Sequence, residues 1–380
     1  MRKLCLIWTG LLFLAACTEA VPDERTDRFT EDDISLRSVA RMLSELPLEK
    51  EHLQEVYNAA GASAGNGYDE EYLVRDIFEA PGCGVGDDAG TRADSRSSYE
   101  HPLRDLIREY LENTRSTKGG ASDVEDYIKR LEDKGYQIFC PYSENWDGES
   151  MPLITFDPGY GAESNYGYEI RWTADGIRVV DSVFVDEAVA MERPVWVVNT
   201  NDDSAFTPLE LYAKSGPLLE TKGQTRKLIL KTFKMLRNYD SWFGGASEFF
   251  VKLGAVDRFT ASTEAEMRLY NPSVTDFMIV IRRSEKGKDI PFNTIMLSDF
   301  SNQLDMLAFL VTEDDGGTIT SWKCSATVKI QSKSYGFDLD IPYHDKDDIV
   351  WRGQLAASFF QEEDIVSGRF GDVEISFALE

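Results

Sequence analysis

Histidine is scarce in this sequence. The chain of 380 residues contains three, His52, His101 and His344. None has a second histidine four residues away, which is the spacing that lets one helix face present two imidazoles to zinc. The sequence therefore argues against a zinc enzyme built on histidine ligands.

Cysteine is also rare, and no two of the five cysteines have the spacing of metal ligands. Cys5 and Cys17 belong to the N-terminal segment discussed below, which leaves Cys83, Cys140 and Cys324. An odd number of cysteines cannot all pair within one chain. Two alternatives remain: one disulfide, with Cys83–Cys140 favoured because both lie in the N-terminal half, or three buried free thiols.

Positive charge is in short supply. Lys and Arg number 40 against 67 Asp and Glu, so the formal net charge is −27. Nucleic acid and anionic membrane surfaces repel such a chain, whereas cations are attracted to it. We therefore expect no nucleic-acid partner. Hydrophobic residues at 42% are enough to build packed cores.

Long apolar runs are missing except for Leu4–Leu14, which is shorter than the ~20 residues that span a bilayer. Basic residues precede this run and Leu14-Ala15-Ala16-Cys17 ends it, a pattern that predicts a secretory signal over residues 1–16. The ending resembles the lipobox of bacterial lipoproteins, in which the cysteine is lipidated and becomes the first residue. The resemblance implies a lipid anchor on Cys17 in the outer membrane, facing the periplasm or the cell surface. The alternative is a secreted protein in which Cys17 is incidental.

The rest of the chain divides into a tether, two domains and a linker. Residues 17–33 are acidic and aperiodic, as in a flexible tether. Residues 34–199 begin with five segments of helical periodicity, one expected to open at Asp69, and continue with short strands; Asp175-Gly176 favours a hairpin turn. This order predicts an α+β domain. Residues 200–226 resemble a linker.

Residues 227–380 contain nine strand-like runs and little helix, which is typical of an antiparallel β-sandwich. The predicted runs are Lys227–Leu236, Ser247–Leu253, Phe277–Arg282, Asn293–Leu297, Leu304–Thr312, Ile319–Ile330, Gly336–Ile341, Gln354–Phe360 and Val373–Leu379. The fold class expected for the whole chain is α+β with a C-terminal sandwich.

Two stretches of this half, Leu228–Leu253 and Leu307–Gly317, resemble the acidic loops of C2-type β-sandwiches. The resemblance implies a calcium site with four ligands: Asp240, Glu248, Glu313 and Asp315. Ca²⁺ takes six to eight oxygen ligands, so carboxylates from two loops suit it. Two glutamates stand where the family has aspartates, and Asp338 and Asp340 are candidates for a third acidic group.

Two further groups of residues could bind a ligand or a cation. Trp146, Tyr166 and Trp172 are candidate stacking platforms for a sugar, although aromatic residues that fill the core are the favoured interpretation. The run from His344 to Asp348 contains three aspartates and could hold a cation, but a solvated hairpin loop is favoured.

The sequence favours a binding or interaction protein over an enzyme. The segment Gly61–Gly65 matches the nucleophile pattern G-x-S-x-G, but it follows a helical segment where that motif requires a strand. Asp186 and Glu187 could serve an envelope hydrolase of glycan or peptide, which needs two positioned acids. As a whole the chain resembles uncharacterised lipoproteins of Gram-negative bacteria. The expected role is recognition of a protein or glycan ligand, and the hydrolase with carboxylates in the α+β domain is the alternative.

Overall fold

The computed structural model describes residues 34–79, 99–115, 121–201, 207–209, 211 and 226–380. Residues Ile34–Glu380 form one compact unit. The predicted signal segment, Cys17, the tether, Cys83 and most of the predicted linker lie outside the described residues. Cys140 is buried and Cys324 half-buried, and both are free thiols.

The described part of the chain contains seven helices and sixteen strands. The helices are α1 (Leu36–Glu45), α2 (Lys50–Gly65), α3 (Val74–Phe78), α4 (Leu103–Arg115), α5 (Ala121–Glu132), α6 (Glu187–Glu192) and α7 (Glu264–Met267). The strands are β1 (Glu71–Leu73), β2 (Tyr136–Phe139), β3 (Leu153–Phe156), β4 (Ser164–Trp172), β5 (Arg178–Asp186), β6 (Val195–Thr200), β7 (Leu228–Met235), β8 (Ser247–Ala255), β9 (Ser273–Ile281), β10 (Ile290–Leu297), β11 (Leu304–Glu313), β12 (Ile319–Ile330), β13 (Lys333–His344), β14 (Asp348–Ala356), β15 (Ile365–Phe370) and β16 (Val373–Leu379). Among these described helices, none is long and apolar enough to cross a membrane.

The N-terminal half is built on a six-stranded sheet of order β1-β2-β6-β3-β4-β5, antiparallel except for the β3–β6 pair. Strand β6 shows how this sheet is covered. Trp196 and Val198 pack with helices α1, α2, α4 and α5, whereas Val195 and Val197 belong to a separate apolar cluster. Successive side chains of a strand point to opposite faces, so the sheet is covered on both faces at β6, whereas β4 and β5 remain partly exposed.

The C-terminal half consists of two antiparallel sheets around one hydrophobic core. One sheet has the order β10-β7-β16-β15, and the other has the order β13-β12-β11-β8-β9 with β14 also paired to β11. The core between them contains residues from both sheets, among them Phe233, Phe309 and Phe377. The mixed α+β class and the antiparallel sheets of the C-terminal half are confirmed.

Three local predictions need correction. The helix expected to open at Asp69 starts only at Val74, because residues 71–73 pair with β2 as an edge strand. The segment Gly61–Gly65, expected to follow a helical segment, is itself helical, since α2 continues to Gly65. The run Gln354–Phe360 is split, with β14 ending at Ala356 and a 3-10 helix following. Strand β15 was not predicted. The Asp175-Gly176 hairpin between β4 and β5 is confirmed.

The loop between β7 and β8 packs onto the N-terminal sheet. Its side chains Trp242 and Phe243 are fully buried in the apolar cluster that contains Val195 and Val197. Nε1 of Trp242 donates a hydrogen bond of 2.9 Å to the carbonyl of Glu163. The two halves therefore share an apolar cluster, and the conformation of this loop depends on both.

Hydrogen bonds from side chains of the N-terminal half to the backbone of the β7–β8 loop also hold this loop on the sheet. Nδ2 of Asn199 donates to the carbonyls of Phe243 at 2.9 Å and Gly244 at 3.1 Å. The buried carboxylate of Asp69 accepts a 2.9 Å hydrogen bond from the Ala246 amide. Gly245, between them, has φ 121°, a value that L side chains rarely adopt. A methyl group there would collide with Asp69.

We expect Gly245→Ala to destabilise the protein more than Gly176→Ala. Gly176 also has positive φ, 76°, but its added methyl would meet none of the described residues within 4 Å. Gly176→Ala should therefore cost only the backbone term, about 1–2 kcal/mol. Gly245→Ala should cost about 1–3 kcal/mol more, because Asp69 must give up its bond to Ala246. Urea unfolding monitored by tryptophan fluorescence measures both, and equal losses would contradict the packing role of Gly245.

Candidate metal centre

Three carboxylates from two distant parts of the chain meet at one end of the C-terminal sheets. Asp240 comes from the β7–β8 loop, Glu248 from the start of β8 and Glu313 from the end of β11. Each offers one oxygen, and the three oxygens lie within 4.8 Å of one another. Three of the four carboxylates predicted as metal ligands are thus brought together.

Strand pairing accounts for two of these positions. Strands β8 and β11 are antiparallel neighbours, with Glu313 opposite Phe249. The amide of Asp314 donates to the carbonyl of Glu248 at 2.9 Å, so the pairing continues to the edge of the sheet. The end of β11 therefore lies beside the start of β8, so both glutamates lie at the same edge of the sheet, where their carboxylate oxygens meet.

The third position depends on the contact between the two halves. Nη1 of Arg283 donates to the main-chain carbonyl of Asp240 at 3.0 Å. Nε of the same guanidinium pairs at 2.8 Å with Glu187, which belongs to the N-terminal half. Arg283 is itself buried, with 8% of its side chain exposed. It thus holds Asp240 in place and carries the positive charge that faces this carboxylate.

Burial and mutual repulsion perturb the titration of the cluster. Glu313 is 1% exposed and Glu248 is 7% exposed. Burial raises the pKa of Glu313, and the charge of Asp240 raises it further. Burial also raises the pKa of Asp240, against the opposing effects of a hydrogen bond with Glu313 and the charge of Arg283. Without a cation, the pair is expected to share a proton, since two facing carboxylates cannot both ionise cheaply.

Two oxygens of the cluster lack a hydrogen-bond donor. When both carboxylates are ionised, no described residue donates to Oδ2 of Asp240 or Oε1 of Glu313, although both atoms are buried. A buried carboxylate oxygen without a donor is costly. A cation would satisfy both atoms. Ca²⁺ binds oxygen at 2.3–2.6 Å, so oxygens on its opposite sides lie up to about 5 Å apart, and the observed spacing fits.

The other acidic residues of the predicted site lie outside the cluster. Asp315 is exposed, but its charge raises the pKa of both Asp240 and Glu313, so it is within electrostatic reach. Asp338 and Asp340 are exposed on β13, and Asp340 pairs with Lys323 at 3.3 Å. Asp315 is therefore positioned to attract a cation without belonging to the three-carboxylate group.

The aromatic candidates do not form one platform. Trp146 stacks on Tyr57 with ring centroids 4.1 Å apart and an interplanar angle of 11°, and it packs against the helical core. Tyr166 and Trp172 are each 53% exposed. They are six residues apart on β4, which corresponds to about 20 Å along an extended strand. These two remain accessible as separate contact points for a ligand.

The carboxylates of the N-terminal half serve the fold. Asp186 caps α6 by accepting a 2.9 Å bond from the Val189 amide, and Glu187 is bound by Arg283 and by the hydroxyl of Tyr142. Burial raises the pKa of Glu70, and the nearby charge of Asp69 and a hydrogen bond with Glu144 raise it further. Carboxyl groups that bond each other are closer than the ~5 Å minimum of a glycosidase pair.

Sequence reasoning missed Arg283 and the buried state of Asp314. Arg283 follows a strand and carries no motif, so only its position in the fold reveals its contact with Asp240. Asp314 lies between two predicted ligands, and its side chain is 3% exposed. The available signal was that side chains alternate along a strand. Because β11 continues past its predicted end at Thr312, this alternation places Asp314 on the same face as the buried Thr312.

No protein-family model, curated protein or solved structure matches this chain.

We expect Glu313→Gln to stabilise the protein when divalent cations have been removed with chelator. The amide can donate to Asp240, whereas the native carboxylate needs a proton to do so. The folded-state pKa of Glu313 lies above the ordinary 4.5, so its stabilising contribution is complete below about pH 4.5 and is lost as the pH rises. The advantage of the variant should thus grow with pH, by no more than about 1.4 kcal/mol per unit.

Urea unfolding in EDTA at pH 5 and pH 8 measures this difference. Glu363→Gln, at an exposed glutamate, is the matched control and should change stability by less than about 0.5 kcal/mol. A Glu313→Gln protein that is less stable than wild type at pH 8 would contradict the shared-proton description.

Proposed function

We propose that this chain is a cell-envelope lipoprotein that acts as a binding protein and whose C-terminal sandwich binds Ca²⁺. The observation that carries the calcium proposal is the group formed by half-buried Asp240 and the buried Glu248 and Glu313, in which two buried oxygens have no donor among the described residues when the carboxylates are ionised. The resemblance of the two acidic stretches to C2-type loops supports the same cation.

Calcium fits this group better than the other common divalent ions. All three side chains offer hard oxygen atoms, whereas structural zinc sites use mainly thiolate and imidazole. Mg²⁺ requires a near-ideal octahedron at 2.0–2.1 Å and usually keeps several waters. Ca²⁺ tolerates irregular coordination at longer distances, so ends of strands and a loop can bind it without ideal geometry.

A bound calcium ion would connect three segments of the fold. It would join the β7–β8 loop to the ends of β8 and β11, and the same loop is anchored in the N-terminal half by Trp242 and Phe243. The ion would therefore stabilise the contact between the halves as well as the sandwich. In this proposal the calcium-bound module recognises a protein or glycan, with Tyr166 and Trp172 as exposed contact points.

The proposed location follows from the N-terminal segment. A lipid on Cys17 would hold the protein on the outer membrane, facing the periplasm or the cell surface. The net charge of −27 makes nucleic acid an unsuitable partner. The hydrolase alternative receives no support from Asp186, Glu187, Glu70 or Glu144, since each already has a structural partner.

We expect Ca²⁺ to raise the melting temperature of the purified full chain after EDTA treatment. At about 100 times the dissociation constant, the ion adds ~2.7 kcal/mol to the folded state, which corresponds to a shift of several degrees. Asp240→Asn should abolish the shift. Asp315→Asn should only weaken binding, because Asp315 is exposed. Glu363→Gln should respond like wild type.

The measurement is differential scanning fluorimetry with Ca²⁺, and Mg²⁺ at equal concentration tests ion selectivity. No calcium shift in the wild type would contradict the proposal. A shift that survives Asp240→Asn would place the ion elsewhere. An equal response to Mg²⁺ would indicate general screening of the negative charge, which also contradicts a specific site.

A further inference from the structure

A second group of metal-binding side chains lies where β13 ends. It consists of Asp314, just after β11, His344, the last residue of β13, and Asp347, in the turn that leads to β14. One atom of each lies within 4.8 Å of the others. Nδ1 of His344 is 3.0 Å from Oδ1 of Asp314 and 3.6 Å from Oδ1 of Asp347.

One proton cannot satisfy this arrangement. A proton on Nδ1 of His344 can bond Asp314 at 3.0 Å, but Asp347 at 3.6 Å is beyond hydrogen-bonding range. Oδ1 of Asp347 has no donor among the described residues, although only 1% of this side chain is exposed. The cluster therefore contains a buried carboxylate oxygen that faces the imidazole without a bond.

We infer that Asp314, His344 and Asp347 form a second cation site, specific for a divalent transition metal of the zinc type. A metal in place of the proton would contact all three atoms at once. Tetrahedral zinc with ligands at 2.0–2.2 Å has ligand-to-ligand distances of about 3.3–3.6 Å. The separation of His344 from Asp347, 3.6 Å, lies in this range, and its separation from Asp314, 3.0 Å, is shorter by about 0.3 Å. One imidazole and two carboxylates leave the fourth position for water, and neutral imidazole favours zinc over calcium.

Main-chain groups hold the two carboxylates in place. The amide of Gly316 donates to Oδ1 of Asp314 at 3.2 Å. The amide of His344 donates to Oδ2 of Asp347 at 2.9 Å, which leaves Oδ1 directed at the imidazole. Such hydrogen bonds fix the orientation of metal ligands. The solvated hairpin loop favoured for residues 344–348 is thus wrong for Asp347, which is buried, and β14 pairs with β11.

The second site shares no residue with the proposed calcium site. Glu313 and Asp314 are neighbours in the chain, but each belongs to a different group. The metal would tie the turn after β13 to the end of β11, a link that does not involve the β7–β8 loop. The two sites can therefore be tested separately.

The test is equilibrium dialysis of the EDTA-treated full chain against Zn²⁺, with saturating Ca²⁺ present to occupy the first site. Co²⁺ in place of zinc reports a tetrahedral site through its visible absorption. We expect one tightly bound Zn²⁺ per chain. His344→Gln and Asp347→Asn should each weaken binding at least about 100-fold. His101→Gln and Asp240→Asn are the controls and should bind zinc like wild type.

Several outcomes would overturn the inference. These are no zinc binding by the wild type, unchanged binding by His344→Gln, an equal loss in His101→Gln, or full displacement of zinc by Ca²⁺. Melting curves of the metal-free variants show whether they fold. If His344→Gln does not fold, zinc binding by Asp347→Asn, which keeps the size of the side chain, is the deciding measurement. A missing calcium response with zinc binding intact would reject only the calcium site.

Discussion

The insertion of Trp242 and Phe243 into the N-terminal sheet is the contact on which the candidate site depends. Both side chains are fully buried, and they pack on the sheet face opposite α1, α2, α4 and α5. Burying two large aromatic side chains contributes several kcal/mol, on the order of 2–3 kcal/mol each. The β7–β8 loop cannot leave this surface without exposing them. Asp240 precedes Trp242 by two residues, so its position is set by the same contact.

The buried carboxylates at the sandwich edge destabilise the folded state when they are ionised, and the surrounding residues do not fully compensate for this. With 67 acidic residues, most can lie on the surface, yet Glu313, Glu248 and Asp347 are all at least nine-tenths buried. Desolvation and like charges both oppose ionisation there. A shared proton removes the repulsion within one pair of carboxylates, but the stability it provides is lost at high pH. A divalent cation would offset the repulsion within the whole group. This balance is the physical reason for expecting cations at both clusters.

The two proposed sites lie at one edge of the sandwich and differ in their donor atoms and in the segments that they join. The three-carboxylate group has only oxygen atoms and includes the loop that reaches the N-terminal half. The group around His344 has a nitrogen atom and joins the end of β11 to the turn after β13. Different donor atoms favour different metals, so the two sites need not compete for one ion.

Much of the secondary structure follows from local pattern. Eight of the nine predicted strands of the C-terminal half correspond to strands, and the ninth, Gln354–Phe360, covers only the end of β14. The eight were readable because β-branched and aromatic runs bounded by turn residues are a property of neighbours in the chain. Strand β15 (IVSGRF) was missed because Ser367 and Gly368 weaken that pattern, and residues 71–73 because pairing with β2 overrides helical propensity. The acidic character of the loops at Asp240 and Glu313 was also readable.

By itself the sequence determined the α+β class, the elements and the supply of carboxylates. Only the tertiary structure decided which carboxylates meet, which of them are buried and that Arg283 faces Asp240. These features depend on strand order and on the contact between the two halves. Local periodicity in the sequence encodes neither the strand order nor that contact.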